Sequence, residues 1–251
     1  MSRIHAKATD VLVDEFNFDS VIHTVTIDIN RPMSDVTAYA DTDAVYLAGK
    51  PGFTISVDGL WSTASPDYDG EMFTDLTSEA RRVGIYPNQL TAGEFGYEGD
   101  CNISASPRVA SFSDAIALNV TWQGDTPIIR SQSLYLNTAF GGPTANGTAY
   151  QHGAVSATQK VVGILRMFTA PAGAGNNTLN VTVQSDNVEN FGGTPETQLT
   201  FTQLTQASVA LHEVQAANGA ITDTWWRVVL TFAGVGTRTF DILVVIGICE
   251  Q

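Results

Sequence analysis

Alternation of apolar and small polar residues, in short windows broken by glycine, proline, asparagine and aspartate, is the feature that most limits what this chain can become. In Thr24-Val25-Thr26-Ile27-Asp28-Ile29 the valine and isoleucines take one face and Thr24, Thr26 and Asp28 the other. Phe53-Thr54-Ile55-Ser56-Val57-Asp58 and Leu118-Asn119-Val120-Thr121-Trp122-Gln123 repeat the pattern. A period of two is that of a β-strand with one packed and one wet face, so the three windows predict an antiparallel sheet covered on one side only. None of these windows carries Lys or Arg.

Composition narrows the partners. The 251 residues hold 26 Asp+Glu against 12 Lys+Arg, a net charge of −14, with 43% hydrophobic and 15% charged residues. That apolar content suits a folded protein rather than a disordered one. The negative charge repels nucleic-acid phosphates, so any contact with DNA is expected to be non-adhesive. No apolar run reaches the roughly 18 residues of a membrane helix, and Met1 to Asp19 is mixed and acidic, so a soluble protein without a leader or membrane partner is expected. Cys101 and Cys249 form no CxxC pair, which points to two reduced, structural thiols.

One helix is predicted from about 70 to 83, with Met72, Phe73, Leu76, Ala80 and Val83 at three- and four-residue spacings. Asp69 and Glu71 at its start and Arg81 and Arg82 at its end match the helix dipole. Packing against the sheet accounts for it. Phe140 to Thr148 is rich in glycine and small polar residues and predicts a linker at 141–148, separating a first domain, 1–140, from a second, 149–251. The first domain holds −11 of the net charge and the second −3. In the second, runs at Lys160–Phe168, Thr178–Gln184, Gln198–Leu204, Ala207–Val214, Trp225–Phe232 and Thr239–Ile248 predict a further β-sandwich.

No catalytic chemistry is marked. His5, His23, His152 and His212 accompany no G-x-S-x-G elbow and no two lie at ligand spacing, so neither a triad nor a metal site is expected. Asp67, Asp69 and Glu71 lack the closing glutamate of a calcium loop and read as the approach to a helix. No phosphate-binding loop is present in the sequence. The Asn-x-Ser/Thr triplets at Asn102, Asn119, Asn146, Asn176 and Asn180 read as chance in an Asn- and Thr-rich chain. Consecutive strand residues face opposite ways, so of Trp225 and Trp226 one should be core and the other should reach the surface, as packing, a subunit contact or a sugar platform. No enzyme and no cofactor are expected.

The segments Met1–Lys7, Thr24–Pro32, Tyr46–Trp61, Gly96–Gly99 and Ala117–Arg130 occur in an order and spacing that resembles the major tail tube proteins of long-tailed, non-contractile phages, particularly a group common among phages of actinobacteria. The resemblance covers about residues 1–135. The part after Gly147 looks like a β domain appended to some of these proteins. The fold class it implies is all-β: a tail-tube-type β-sandwich with a flanking helix, followed by a second β-sandwich outside the tube.

The family's subunits join edge to edge into six-membered rings that stack into a hollow tube. The tube is assembled around a tape-measure protein, bounded by tail terminator and distal tail proteins, and threaded by double-stranded DNA that is not specifically bound. Stacking uses the N-terminal arm and a loop between two early strands. By position these are Ser2–Lys7, with Arg3, His5 and Lys7, and about Met33–Gly52, with Asp41, Asp43, Tyr46 and Lys50. Alternation makes Thr26, Asp28, Ser56, Asp58, Asn119 and Thr121 the candidate lumen-facing side chains. The competing expectation is a virion adhesin or glycan-binding module acting through the second domain, with Trp225 or Trp226 as platform. A hydrolase lacks a linked nucleophile and base.

Overall fold

A computed structural model describes residues 9–40, 42–62, 68–75, 80–109, 116–142 and 145–251. Arg3, His5, Lys7 and Asp41 lie outside the described residues. The strands are β1 (Asp10–Val13), β2 (Phe16–Asn17), β3 (Ile22–Asn30), β4 (Met33–Asp35), β5 (Tyr46–Ala48), β6 (Gly52–Leu60), β7 (Arg81–Tyr86), β8 (Phe95–Ala105), β9 (Arg108–Val109) and β10 (Ala117–Gly124). They continue as β11 (Ile129–Phe140), β12 (Ala145–Asn146), β13 (Tyr150–Gln151), β14 (Gln159–Met167), β15 (Thr178–Asp186), β16 (Glu196–Thr200), β17 (Leu211–Asn218), β18 (Trp225–Ala233) and β19 (Phe240–Glu250). Among the described residues one helix, α1 (Tyr68–Asp75), interrupts them, in keeping with the all-β expectation with a flanking helix.

The chain forms two compact units, one of residues up to Asn17 with 84–98 and 129–251, the other of 18–83 with 99–128. In the larger unit β17, β14, β19 and β11 follow one another as antiparallel neighbours, facing a second sheet ordered β12, β18, β15, β16. Leu165, Met167, Val181, Val183, Trp226, Val228, Ile242 and Val244 fill the space between these sheets. Opposite parities of β14 and β19, Val162, Ile164, Leu243 and Val245, meet a second cluster with Leu12, Tyr86, Leu90 and Ile129. Burial on both faces explains why Ile242 to Ile246 is a continuous apolar run instead of an alternating one.

Arg166 shares the face of Val162 and Ile164, and is fully buried there. Its Nη1 and Nη2 donate to Glu98 Oε1 and Oε2 at 2.7 and 2.9 Å, and its Nε donates to the Asp14 carbonyl. Tyr86 Oη donates to Glu98 Oε1 at 2.7 Å. Burial, reinforced by the Glu98 charge, pushes the Tyr86 phenol well above its ordinary value, so it stays a donor. Gly84 stands where a Cβ would run into the Glu98 carboxylate, so glycine there makes room for the pair. His152 stacks on Phe95 with centroids 6.1 Å apart, its Nδ1 lies 3.2 Å from Gln132 Oε1, and burial, then the charge of Arg130, lowers its pKa to about 4.

In the smaller unit β8, β10, β6 and β3 are antiparallel neighbours in that order. Phe53, Ile55, Val57, Leu118, Val120 and Trp122 are buried on one face, with Met72 and Tyr68 of α1 and Phe18 also buried. Gly99 and Gly124 leave room for the Phe53 ring, which a Cβ at either would strike. The acidic first turn of α1, Asp69 and Glu71, agrees with the helix dipole.

Three expectations are corrected. The helix expected at 70–83 does not reach Arg81, Arg82 and Val83, which belong to β7, where a two-sided burial pattern rather than a helical face places them. Within the expected linker, Ala145 and Asn146 pair with Leu230 and Val229 of β18, and β11, expected in the first domain, joins β19 in the larger unit. The strand expected at Ala207–Val214 begins instead at Leu211, because Thr205 to Ser208 close a turn: Ser208 Oγ accepts from the Thr205 amide and Thr205 Oγ1 from the Ala207 amide.

Two outcomes follow. Arg166→Met leaves the Glu98 carboxylate buried without its cation and should cost about 3–5 kcal/mol in guanidinium denaturation, most of it regained in Arg166→Met/Glu98→Leu. His152 has a folded pKa below its ordinary 6.5, so its contribution to stability is complete above about pH 6.5 and lost as pH falls toward 4. Thermal midpoints measured from pH 7.5 to 4 should fall less steeply for His152→Gln than for the parent.

Candidate functional site

The wet face of the smaller unit follows from strand register. Thr24 lies opposite Asp58 and Asp58 opposite Asn119. Thr26 is paired with Ser56 and Ser56 with Thr121, and Asp28 with Thr54 and Thr54 with Gln123. Directly opposed residues point the same way, so all six candidate lumen-facing side chains, Thr26, Asp28, Ser56, Asp58, Asn119 and Thr121, share one face. Thr26, Asp28 and Asp58 are exposed and the other three half-buried.

The rows are tied laterally. Ser56 Oγ and Thr121 Oγ1 are 3.5 Å apart, Thr54 Oγ1 donates to Gln123 Oε1 at 3.2 Å, and Gln123 Nε2 donates to the Phe53 carbonyl at 3.0 Å. Hydroxyls and amides thus satisfy one another, and the two carboxylates of these rows, Asp28 and Asp58, stand at their exposed positions. β3, β6 and β10 contain no Lys or Arg. The face can repel a polyanion and offers it no cationic contact. Behind it, burial and then the Asp58 charge push the Tyr68 phenol upward.

The segment expected as a stacking loop is a two-stranded ribbon. β4 and β5 pair Met33 with Ala48, Ser34 with Leu47 and Asp35 with Tyr46. Asp35 Oδ1 accepts from the Thr37 hydroxyl and amide at 2.5 and 2.9 Å, and the hydroxyl bond, then the amide, lowers the Asp35 pKa. Gly49 N donates to the Pro32 carbonyl and Arg31 Nε to the Gly49 carbonyl, both at 2.8 Å, closing the ribbon's base. Met33, Tyr46 and Leu47 are 57%, 57% and 64% exposed, and Val36, Tyr39 and Val45 are exposed as well. Tyr46 lies on β5, Asp43 in the connection between the two strands and Lys50 just beyond β5. An isolated two-stranded ribbon is marginal in water, and clustered exposed apolar side chains mark an association surface. Of these apolar side chains only Tyr46 was expected; Met33, Val36, Val45 and Leu47 were not, and their density where no alternation runs was the signal.

In the larger unit Trp226 is fully buried, its Nε1 donating to the Gly153 carbonyl at 2.9 Å, while Trp225 is half-buried opposite Asp186 and Gln151. A polar cleft of about 430 Å³ is lined by Asn187, Glu196, Gln198, Asn218 and Asp223 among others. Gln198 Nε2 donates to Ser185 Oγ at 2.9 Å and Ser185 Oγ to Asp223 Oδ2 at 2.7 Å. The residues lining the cleft include no histidine, cysteine, lysine or arginine.

No protein-family model and no curated protein matches the sequence. Solved structures similar to the chain include the virion of a native gene transfer agent particle, 14% identical with a TM-score of 0.43 over 51% of this chain and 98% of that one. Another is the SPP1 tail tube, at 8% identity and a TM-score of 0.41 over 51% of this chain and 78% of that one. A third is the SPP1 Dit protein, described as a paradigm of the hub adsorption apparatus in phages infecting Gram-positive bacteria, at 8% identity and a TM-score of 0.36 over 90% and 99%. With such low identities and TM-scores below 0.5, the functional reading rests on this chain's own residues.

Truncating the two tryptophans should separate their roles. Trp226→Ala is expected to cost about 3–5 kcal/mol in chemical denaturation, and Trp225→Ala markedly less.

Proposed function

We propose that this chain is a structural, non-enzymatic virion protein, a major tail tube subunit whose copies close into six-membered rings and stack into a conduit for double-stranded DNA. The carrying observation is the cation-free face of β3, β6 and β10, where Thr26, Ser56 and Thr121 form one row and the exposed carboxylates of Asp28 and Asp58 flank it. Repeated by every subunit of a ring, this face would line the bore with hydroxyls, amides and negative charge. Phosphates passing such a wall meet weak repulsion and no binding site, so the DNA slides.

Two further features support assembly. β3 has β6 as its only ladder partner among the described residues, so its other edge presents backbone donors and acceptors that a neighbouring subunit can take up in closing a ring. The β4–β5 ribbon, with Met33, Tyr46 and Leu47 toward solvent, supplies apolar area for contact between stacked rings, with Asp43 and Lys50 at hand for polar contacts. The N-terminal arm with Arg3, His5 and Lys7, and Asp41, belong to the same proposed contact. Tape-measure, tail terminator and distal tail proteins are the proposed partners, and the second β-sandwich is assigned to the tube's outside.

Purified protein concentrated stepwise should form rings or tubes in negative-stain micrographs, and Tyr46→Asp/Leu47→Asp should remain folded yet fail to assemble. A parent protein that stays monomeric at high concentration overturns the reading. In particles, Asp28→Lys/Asp58→Lys should slow genome ejection; an unchanged ejection rate removes these residues from the bore.

A further inference from the structure

We propose that the polar cleft of the larger unit binds a neutral saccharide through Asn187, Glu196, Gln198, Asn218 and Asp223. The cleft is formed by the β15–β16 connection, β16 and the link from the end of β17 to β18, all within that unit. Saccharide binding there does not require ring closure, so it and tube assembly fail independently.

The segments around the cleft are held by the protein's own bonds. Asp186, only 1% exposed, accepts from the Val188 and Gly193 amides, each at 3.2 Å, which closes the connection carrying Asn187. In the β17–β18 link Gly219 N donates to the Gln159 carbonyl, and Ile221 and Val155 exchange both backbone bonds, all at 2.8 Å. Ser185, fully buried, accepts from Gln198 Nε2 at 2.9 Å and donates to Asp223 Oδ2 at 2.7 Å. That relay orients two lining side chains while occupying only one end of each. Asp223 Oδ1 and Gln198 Oε1 have no hydrogen-bond partner among the described residues, and neither atom is shut off from solvent. Acceptors fixed in advance cost a ligand little ordering.

The lining selects the ligand's chemistry. Pockets for apolar ligands are walled mostly by hydrophobic and aromatic side chains; here carboxylates, amides and hydroxyls dominate, and no aromatic ring is among the lining residues. Glu196 and Asp223, with no Lys, Arg or His beside them in the lining, repel phosphate, sulfate and carboxylate groups. A primary ammonium would satisfy the two carboxylates and leave the amide N–H groups of Asn187 and Asn218 without an acceptor. Sugar hydroxyls meet both needs, donating to Asp223 Oδ1, Gln198 Oε1 and Glu196 while accepting from Asn187 and Asn218. The cleft's volume of about 430 Å³ lies in the range of small-molecule sites and has room for a mono- or disaccharide. Neither Trp225 nor Trp226 lines it, so recognition there is by hydrogen bonds without ring stacking.

The test presents the full chain with the methyl glycosides of glucose, galactose, mannose and N-acetylglucosamine, read by saturation-transfer difference NMR and titration calorimetry. At least one should receive saturation from the protein and bind with a Kd of about 1 mM. Asp223→Ala should weaken that binding about tenfold or more, the loss of a charge-assisted hydrogen bond. Because Asp223 also holds the buried Ser185, the exposed position Glu196→Ala is the second variant; it should weaken binding about threefold or more while far-UV circular dichroism stays native. Trp225→Ala should leave binding unchanged. Absence of transfer to all four glycosides overturns the proposal, and binding of butylammonium chloride in their place reassigns the cleft to cations. Binding that survives both cleft substitutions, or that only Trp225→Ala abolishes, overturns it too, since the saccharide would then sit elsewhere.

Discussion

Two cores depend on one pair of strands. β14 and β19 give Val161, Leu165, Ile242 and Val244 to the space between the sheets, and Val162, Ile164, Leu243 and Val245 to the cluster around Leu12 and Tyr86. Because side chains alternate strictly, a slip of one residue in either strand would exchange that strand's two sets, and a slip of β14 would carry Arg166 into the sandwich. Arg166 therefore does more than balance Glu98. Its bidentate bond is available only in the native register, so a pair whose net contribution to stability is modest still penalises every shifted pairing. Gly84, by leaving space for the Glu98 carboxylate, belongs to the same constraint.

In the smaller unit the constraint is simpler and was written more openly in the sequence. The alternation at Thr24–Ile29, Phe53–Asp58 and Leu118–Gln123 reappears as β3, β6 and β10, with the apolar members inward for β6 and β10. The expected inner positions of β3 are only half-covered, and Ile29 is exposed, as befits an edge strand. Local pattern was enough here because one-sided burial imprints a period of two on each strand separately. In the larger unit the expected runs Lys160–Phe168, Thr178–Gln184, Trp225–Phe232 and Thr239–Ile248, read from β-branched and aromatic residues between turns, coincide with β14, β15, β18 and β19.

What stayed hidden is what depends on distance along the chain. Composition around Phe140–Thr148 suggests a break, yet β11 pairs with β19 across about a hundred residues, and no local feature of Ser131–Leu136 says which later strand will claim it. The end of α1 was misjudged because arginines at Arg81 and Arg82 satisfy a helix C-terminus and a strand equally well. Glu98 meets Arg166, and Ser185 meets Gln198 and Asp223, only after folding; none of the five carries a motif, so spacing rules for ligands or ion pairs pass over them. On the ribbon, Tyr46 was picked for its position while Met33 and Leu47 were overlooked, since exposed apolar side chains acquire meaning only once the surface is known.

The place of β19 between β11 and β14 has a bearing on synthesis. Neither core is complete without Phe240 to Ile246, so a ribosome moving at about 5–20 residues per second spends roughly 10–50 s producing a nascent polypeptide whose larger unit cannot yet close. For the last roughly 4–16 s of it, after Val162 and Ile164 have been made, these residues and the strands that will flank β19 remain open to water and to other nascent chains. The cell must keep these half-made molecules apart until β19 arrives, and truncated translation products should be targets for chaperones and proteases rather than competitors for assembly.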